Sequence, residues 1–246
     1  MNLKFLYSFF LFFITVVLTA QNTNGRVVYS VSLDPFFSLM AKKFENEPNH
    51  KGLKLFQQAT KIASSFECQL LFNNHLSKFE LINNMVLDKD ERLQFIAERM
   101  VVKGEYYTNL IKSFQVLKDN SGKELYIKSS IDTDWTLSKE TKNIGNYVCY
   151  KATSYKQLPS SKALVTVWYT PQIPVAFGPK QFVGNLPGLI LEFEDNAVHF
   201  IAKKIMLNPK KTIEISWPGA ETISKEEHER QTGNSFQQLK ESYGRD

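Results

Sequence analysis

Between residues 105 and 206 the chain is one short alternating apolar/polar run after another, each ended by turn residues. No other feature limits the fold as tightly, because a period of two gives every run one apolar face and marks it as a half-buried strand. The runs fall at about 105–109, 111–118, 123–129, 132–137, 146–156, 162–169, 188–194 and 197–206. Asp119-Asn120-Ser121-Gly122 and Glu194-Asp195-Asn196 supply turns between them. Upstream, 26–33 reads as a first strand ended by Asp34-Pro35. The runs 66–73 and 76–82 form a hairpin about Asn73-Asn74, and Asn83-Asn84 marks the next loop. Leu53, Leu55, Phe56, Ala59, Ile62 and Ala63 recur at helical spacing, and Leu93, Ile96, Ala97 and Met100 favour a helix over a linker within 88–100. A last strand is predicted at 211–216, ending at Pro218-Gly219. A polar helix is predicted over 224–241, with Ser224 as N-cap and Glu227 completing a capping box.

A sheet of so many strands has to curl, close or split. The expected fold is mainly β (α+β): a large curved antiparallel sheet, an incomplete β-barrel, with one to three helices near its open face. The aromatic share of 13%, with 19 Phe and 10 Tyr, suits such strands. The order of elements is similar to that of LolA-type lipoprotein carriers, although no diagnostic motif of theirs is present.

Residues 1–20 read as a secretory signal peptide. Lys4 is a short basic region, Phe5 to Thr19 is almost wholly apolar, and Ala20 is a small residue before Gln21. The apolar run is shorter than the ~20 residues of a spanning helix, and no cysteine follows it to carry a lipid. The expectation is a single β-rich domain over 21–246, exported to the periplasm or outside the cell, monomeric, and without a transmembrane segment once the leader is removed. Net charge is +5, and loss of Lys4 leaves +4. The basic residues are scattered, as in Lys42-Lys43, Lys203-Lys204 and Lys210-Lys211, which describes a solvated surface. With no recognisable binding motif, nucleic acid is not an expected partner.

Reactive chemistry is sparse. Nucleophile elbows, paired-histidine metal motifs and glycine-rich phosphate loops are all missing from the sequence. His50, His75, His199 and His228 have no ligand spacing, so neither a metal nor a cofactor is expected. Asp132 and Asp134 would share one face of the strand predicted at 132–137, near Trp135, Glu140 and Lys151. A solvated strand edge describes this group better than an acid/base pair, and the chain is not expected to be an enzyme. Cys68 and Cys149 lie in strand-like runs. They are either two buried thiols or a disulfide, which needs their Cα atoms within about 7 Å.

The segment Gly184-Asn185-Leu186-Pro187-Gly188-Leu189-Ile190 follows Gly178-Pro179 and Phe182. Pro187-Gly188 fits the centre of a type II turn, in which glycine would supply a positive φ. With Trp168-Tyr169-Thr170-Pro171-Gln172-Ile173-Pro174, this segment resembles the signature of the GLPGLI family, secreted or periplasmic proteins found mostly in Bacteroidetes. Upstream, Trp135, Glu140-Thr141, Ile144-Gly145-Asn146-Tyr147, Cys149 and Lys151-Ala152 are similar to the same family's pattern. Asn185 stands where the motif has its first glycine, and Asn tolerates the left-handed conformation best after Gly. The resemblance implies an exported β-rich protein and no particular activity.

Two kinds of function fit. In the first, the curled sheet binds an apolar ligand, such as an acyl chain or another envelope component, in a cavity lined by some of Trp135, Tyr147, Trp168, Phe182, Leu186 and Leu189. In the second, the proline-stiffened loop 171–187 engages an outer-membrane protein or secretion partner through an exposed patch at Ile173, Val175 and Phe177.

Overall fold

The computed structural model describes residues 24–46, 51–82, 91–120, 122–158 and 161–232. The signal-peptide reading, the loop at Asn83-Asn84 and the predicted helix beyond 232 lie outside these residues. In chain order the elements are β1 (Gly25–Ser32), α1 (Asp34–Lys43), α2 (Lys51–Ala63), β2 (Glu67–Phe72), β3 (Leu76–Leu81), α3 (Glu91–Val101), β4 (Gly104–Asn109), β5 (Phe114–Asp119) and β6 (Leu125–Ser130). Then come β7 (Thr136–Ile144), β8 (Tyr147–Gln157), β9 (Lys162–Thr170), β10 (Leu189–Glu194), β11 (His199–Leu207), β12 (Ile223–Ser224) and α4 (225–232).

The twelve strands of the described residues form one open sheet in the order β12-β6-β5-β4-β3-β2-β1-β11-β10-β9-β8-β7. Every pairing is antiparallel except the short parallel contact of β12 with β6. The sheet therefore consists of two meanders, β1–β6 and β7–β11, joined where β1 pairs with β11. This arrangement forces curvature. β6 and β7 lie at opposite ends of the strand order, and a flat sheet would hold them roughly 50 Å apart. Yet only residues 131–135 connect them, and that link spans at most roughly 20 Å. The sheet must curl until its two ends face each other across a seam, as expected for an incomplete barrel. The ladder does not close across the seam, since β6 and β7 are not paired.

One rim of the curl carries the helices. There Ser32 lies opposite His199, Ser30 opposite Glu67, Gly104 opposite Asp119 and Glu194 opposite His199. α1 and α2 connect β1 to β2 at this rim, and α3 leads into β4. Leu53, Ala59 and Ala63 of α2 and Ala97 and Val101 of α3 are buried. No side chain of α1 is buried, and its Phe36 meets Phe56 of α2 edge to face at 5.3 Å.

Three sequence readings are corrected. Asp34-Pro35 does not simply end a strand but opens α1, where proline is tolerated in the first turn and Asp34 and Lys42-Lys43 complement the helix dipole. Residues 132–137 are not a strand. They are mostly the seam link, and β7 begins only at Thr136, so Asp132 and Asp134 stand exposed on the link rather than on one strand face. No strand forms at 211–216. Instead, residues 214–218 run over the outer face, where Trp217 meets Tyr107 at 5.9 Å and Phe114 at 5.4 Å. The Ser224 cap is present, with its Oγ accepting the Glu227 N–H at 3.1 Å. Among the described residues, no helix is long and apolar enough to cross a membrane.

Candidate functional site

The loop between β9 and β10 leaves the rim opposite the helices and turns into the concave face. It is built from its own backbone. Leu189 N–H donates to Ile173 O at 3.0 Å, Ile190 N–H to Phe177 O at 2.9 Å, and Gly184 N–H to Ala176 O at 2.9 Å. Ile173, Val175, Phe177, Phe182 and Leu186 are buried, so the loop plugs the curl, and the exposed apolar patch expected at Ile173, Val175 and Phe177 does not exist. The plug also seals the seam from behind. Trp135 Nε1 donates to Gly184 O at 3.1 Å, and Asn185 Nδ2 donates to Thr133 O at 3.1 Å.

The turn chemistry differs from the type II expectation. Gly184 (φ 77°) and Asn185 (φ 56°) are the left-handed residues, and Gly188 is not among those with positive φ. Gly188 answers to a different constraint: a Cβ there would run into the Thr170 carbonyl. A Cβ on Gly184 would meet the Ile131 side chain of the seam link. Asn185 keeps the backbone shape that a glycine would have provided.

The plug delivers one charged group to the interior. Lys180 is only 8% exposed and takes a left-handed φ of 57°, a conformation that costs a non-glycine residue on the order of 1 kcal/mol. Gln115 Nε2, which donates to Thr108 Oγ1 at 2.8 Å, lies 3.5 Å from Lys180 O and ties the backbone to β5. The Lys180 ammonium sits over two rings, 5.4 Å from the centroid of Phe200 and 5.9 Å from that of Phe193. The rings themselves form a row, with Phe193–Phe200 at 6.0 Å and Phe79–Phe200 at 5.4 Å. Burial pushes the Lys180 amine down to about 8, against the upward pull of Asp195.

Asp195 is the nearest source of compensation, but it is already committed. Its Oδ1 accepts the N–H groups of Ala197 and Val198 at 2.8 and 2.9 Å, and its Oδ2 lies 3.3 Å from Lys156 Nζ. Burial favours the neutral acid at Asp195, yet Lys180, Lys156 and the two backbone donors hold its carboxyl below the ordinary value. On the same rim Arg99 pairs with Asp119 at 3.3 Å. Among the described residues, no carboxylate oxygen comes within 4.0 Å of Lys180 Nζ.

The six residues expected to line one cavity are divided. Phe182, Leu186 and Leu189 are core residues, and half-buried Trp135 meets Phe182 at 6.5 Å. Trp168 belongs to the outer face. Its register partners there are Lys151 and Glu192, and Lys142 Nζ lies 4.3 Å from its ring. Tyr147 alternates onto that same face as Lys151, at the rim. The cysteines are separated likewise. Cys68 faces inward beside Tyr29, while Cys149 pairs in register with Lys142 on the outer side. Both are buried free thiols, so the disulfide alternative is set aside: two side chains on opposite faces of a sheet cannot bond. Burial pushes the Cys149 thiol up to about 11 and the Cys68 thiol higher still.

A cleft of about 320 Å³ lies on the outer face under residues 214–218, with Lys78, Tyr107, Lys118 and Tyr126 on its wall. Its lysines are paired: Lys78 with Glu80 and Glu105 at 2.7 and 2.6 Å, and Lys118 with Glu105 and Glu124 at 3.3 and 3.2 Å. Lys180 differs from both in having no carboxylate partner among the described residues. Sequence reasoning missed it, although one signal was available: Lys180 is the only charged residue from Pro171 through Leu191.

Residues 135–165 and 156–192 match the profile of a family described as "Protein of unknown function (Porph_ging)". The matched region holds Trp135, the whole plug and the first part of β10. No curated protein matches the sequence. Among solved structures the chain is distantly similar to PNGF-II in two crystal forms. Identity is 15% with a TM-score of 0.46 for the C2 form, and 16% with 0.45 for the P21 form. The similarity covers 82% and 83% of this chain but 31% and 32% of those chains, so the chain spans about a third of their length.

Proposed function

We propose that this protein is an exported, non-enzymatic binding module of the bacterial cell envelope, of the GLPGLI type, which holds an apolar ligand inside its curled sheet. The leader-like residues 1–20 support export to the periplasm or beyond. One observation carries the binding reading. The curl is closed not by a β-ladder but by a plug held to the seam through side-chain contacts, Trp135 to Gly184 and Asn185 to Thr133. A closed ladder would have to break many backbone hydrogen bonds to admit a ligand. This seam loosens by parting a few, each worth about 1 kcal/mol. At the helical rim α1 buries none of its side chains, so it is held less firmly by packing than α2 and α3. The interior holds a buried aromatic row of Phe79, Phe200 and Phe193, which makes it an apolar environment of the kind that suits such a ligand.

Native mass spectrometry of residues 21–246, purified without detergent from an envelope fraction, tests this reading. A discrete added mass in the range of a lipid or acyl chain is the expected result. A bare mass, together with no uptake of added acyl compounds, would overturn it. The alternative reading, an outer-membrane partner on loop 171–187, has no exposed apolar patch to rest on, since Ile173, Val175 and Phe177 are buried.

A further inference from the structure

We propose that the outer-face cleft under residues 214–218 is a binding site for a neutral saccharide, independent of the interior reading above. Its volume of about 320 Å³ falls within the range of small-molecule sites. One side of the cleft is the sheet and the other is the strap formed by residues 209–222. The strap is fixed at both ends and in the middle. Asn208 N–H donates to Asn24 O at 2.7 Å where the chain leaves β11, and β12 pairs with β6 at the far end. Between them Trp217 is seated edge to face against Tyr107 and Phe114. The cleft is therefore shaped in the free protein, which lowers the ordering cost of binding.

The lining selects the class of ligand. On the sheet side Lys78 is paired with Glu80 and Glu105, and Lys118 with Glu105 and Glu124. Tyr107 Oη donates to Glu105 at 2.6 Å, and Tyr126 Oη to Glu124 at 2.8 Å. An anion would have to draw a lysine away from its carboxylates, with Glu214 exposed on the strap to repel it. A cation would compete with the two ammonium groups for the same carboxylates. An alkyl chain would cover these charges and offer them no hydrogen bond, which is costly. A polyol leaves the ion pairs intact. Each ammonium has three N–H donors and commits two to carboxylates, and each tyrosine hydroxyl that donates can still accept. Glu214 and the peptide groups of Ile215 and Ser216 add acceptors and donors on the strap side. Trp217 and Tyr126, both half-buried, contribute flat apolar ring surface. A sugar ring carries both matching parts, hydroxyls around its rim and an apolar C–H face.

The test is calorimetry on residues 21–246 with two groups of neutral saccharides. Hexaoses of glucose, mannose and N-acetylglucosamine stand for polysaccharides, and lacto-N-tetraose and lacto-N-neotetraose stand for glycoconjugates. Heparin oligosaccharides and spermine are the charged comparisons. The expected result is binding of at least one neutral saccharide, with an affinity that changes by less than about twofold between low and high salt, since the ligand carries no charge to be screened. The group that binds distinguishes a polysaccharide source from a glycoconjugate. Trp217→Ala and Tyr126→Ala should each weaken binding by about tenfold. Tyr155→Ala, which removes an exposed ring on β8 outside the cleft, should not. Trp217→Ala also frees the middle of the strap, so Tyr126→Ala reads the lining alone. Absence of binding by every neutral saccharide would overturn the proposal. So would tighter binding of heparin or spermine, or an unchanged affinity in either cleft variant. None of these outcomes bears on the interior ligand, which native mass spectrometry reads separately.

Discussion

Trp135 donates its indole N–H to the carbonyl of Gly184, 3.1 Å away, joining the link between the two sheet ends to the loop that fills the curl. The two residues are 49 positions apart, and their contact lies where the sheet has no ladder of its own. Replacing Trp135 by Phe keeps most of the ring packing against Phe182 and removes the donor. The expected loss is about 1 kcal/mol, read as a lower urea midpoint at unchanged slope. An unchanged midpoint would show that this contact does not hold the seam.

Gly184 and Asn185 should respond in opposite ways although they are adjacent. Gly184→Ala places a Cβ at φ 77° and against Ile131. Strain and overpacking together predict a loss of about 2–4 kcal/mol. Asn185→Gly gives up the hydrogen bond to Thr133 O but relieves a left-handed φ, so the net change should stay within about 1 kcal/mol. Thermal unfolding of the two variants checks the contrast, and comparable losses in both would contradict it.

Lys180→Met should stabilise the protein at neutral pH. The amine titrates near 8 in the fold, below its ordinary 10.5, so between those values the unfolded chain binds more protons than the native one. Stability of the wild type therefore rises with pH across that window. Below pH 8 the buried charge costs on the order of 3 kcal/mol, which the Met variant is spared. The difference between the two proteins should shrink as pH approaches 10.5, which urea titrations at pH 7 and pH 10 would show. A Met variant less stable than wild type at pH 7 would mean that the cation–π contacts outweigh the desolvation of the amine.

Asp195→Asn should behave as the loss of an acid-sensitive clamp. The folded carboxyl is held below its ordinary value, so its contribution is fully present above about pH 4 and fades as pH falls through the folded value. At pH 7 the variant strands Lys156 and weakens the turn to Val198, an expected loss of about 2–4 kcal/mol. Near pH 2 the gap to wild type should narrow. A gap of the same size at both values would separate Asp195 from the ionic interaction.

The two thiols should stay silent in the native protein. Cys68 and Cys149 are buried, with their thiolates disfavoured, and lie on opposite faces of the sheet. A thiol reagent should label neither rapidly before denaturation and both after it, without a reductant. An intact mass lighter by two hydrogens, restored on reduction, would contradict this arrangement.

Several of these features were legible in the residues alone. The period-two runs located most strands to within a few positions, because alternation is a local property of a half-buried strand. The apolar spacing of Leu53, Ala59 and Ala63, and of Ala97, gave α2 and α3 for the same kind of reason. Asn185 stands where the resembled motif has a glycine, and its left-handed backbone suits a residue that tolerates that conformation, whereas the positive φ expected at Gly188 is not found. Where local signals admitted two answers, the surroundings chose. Asp34-Pro35 suits both a strand end and a helix start. Residues 132–135 alternate like a strand but find no neighbouring edge to pair with, so they serve as the link across the seam.

A curled β-sheet with a stiff Pro/Gly-rich loop follows from the residues alone, because strand periodicity and turn chemistry act over a few neighbouring positions. Which face each side chain took, and what met it across the chain, was set by the folded arrangement of the strands. It set Trp168 and Cys149 outside and Cys68 inside, and it brought Gly184 to Trp135. It also carried Lys180 into the aromatic interior beside an aspartate that was already paired. Those outcomes depend on register and on contacts between residues far apart in the chain, and a one-residue change of register would move a side chain to the other face of the sheet.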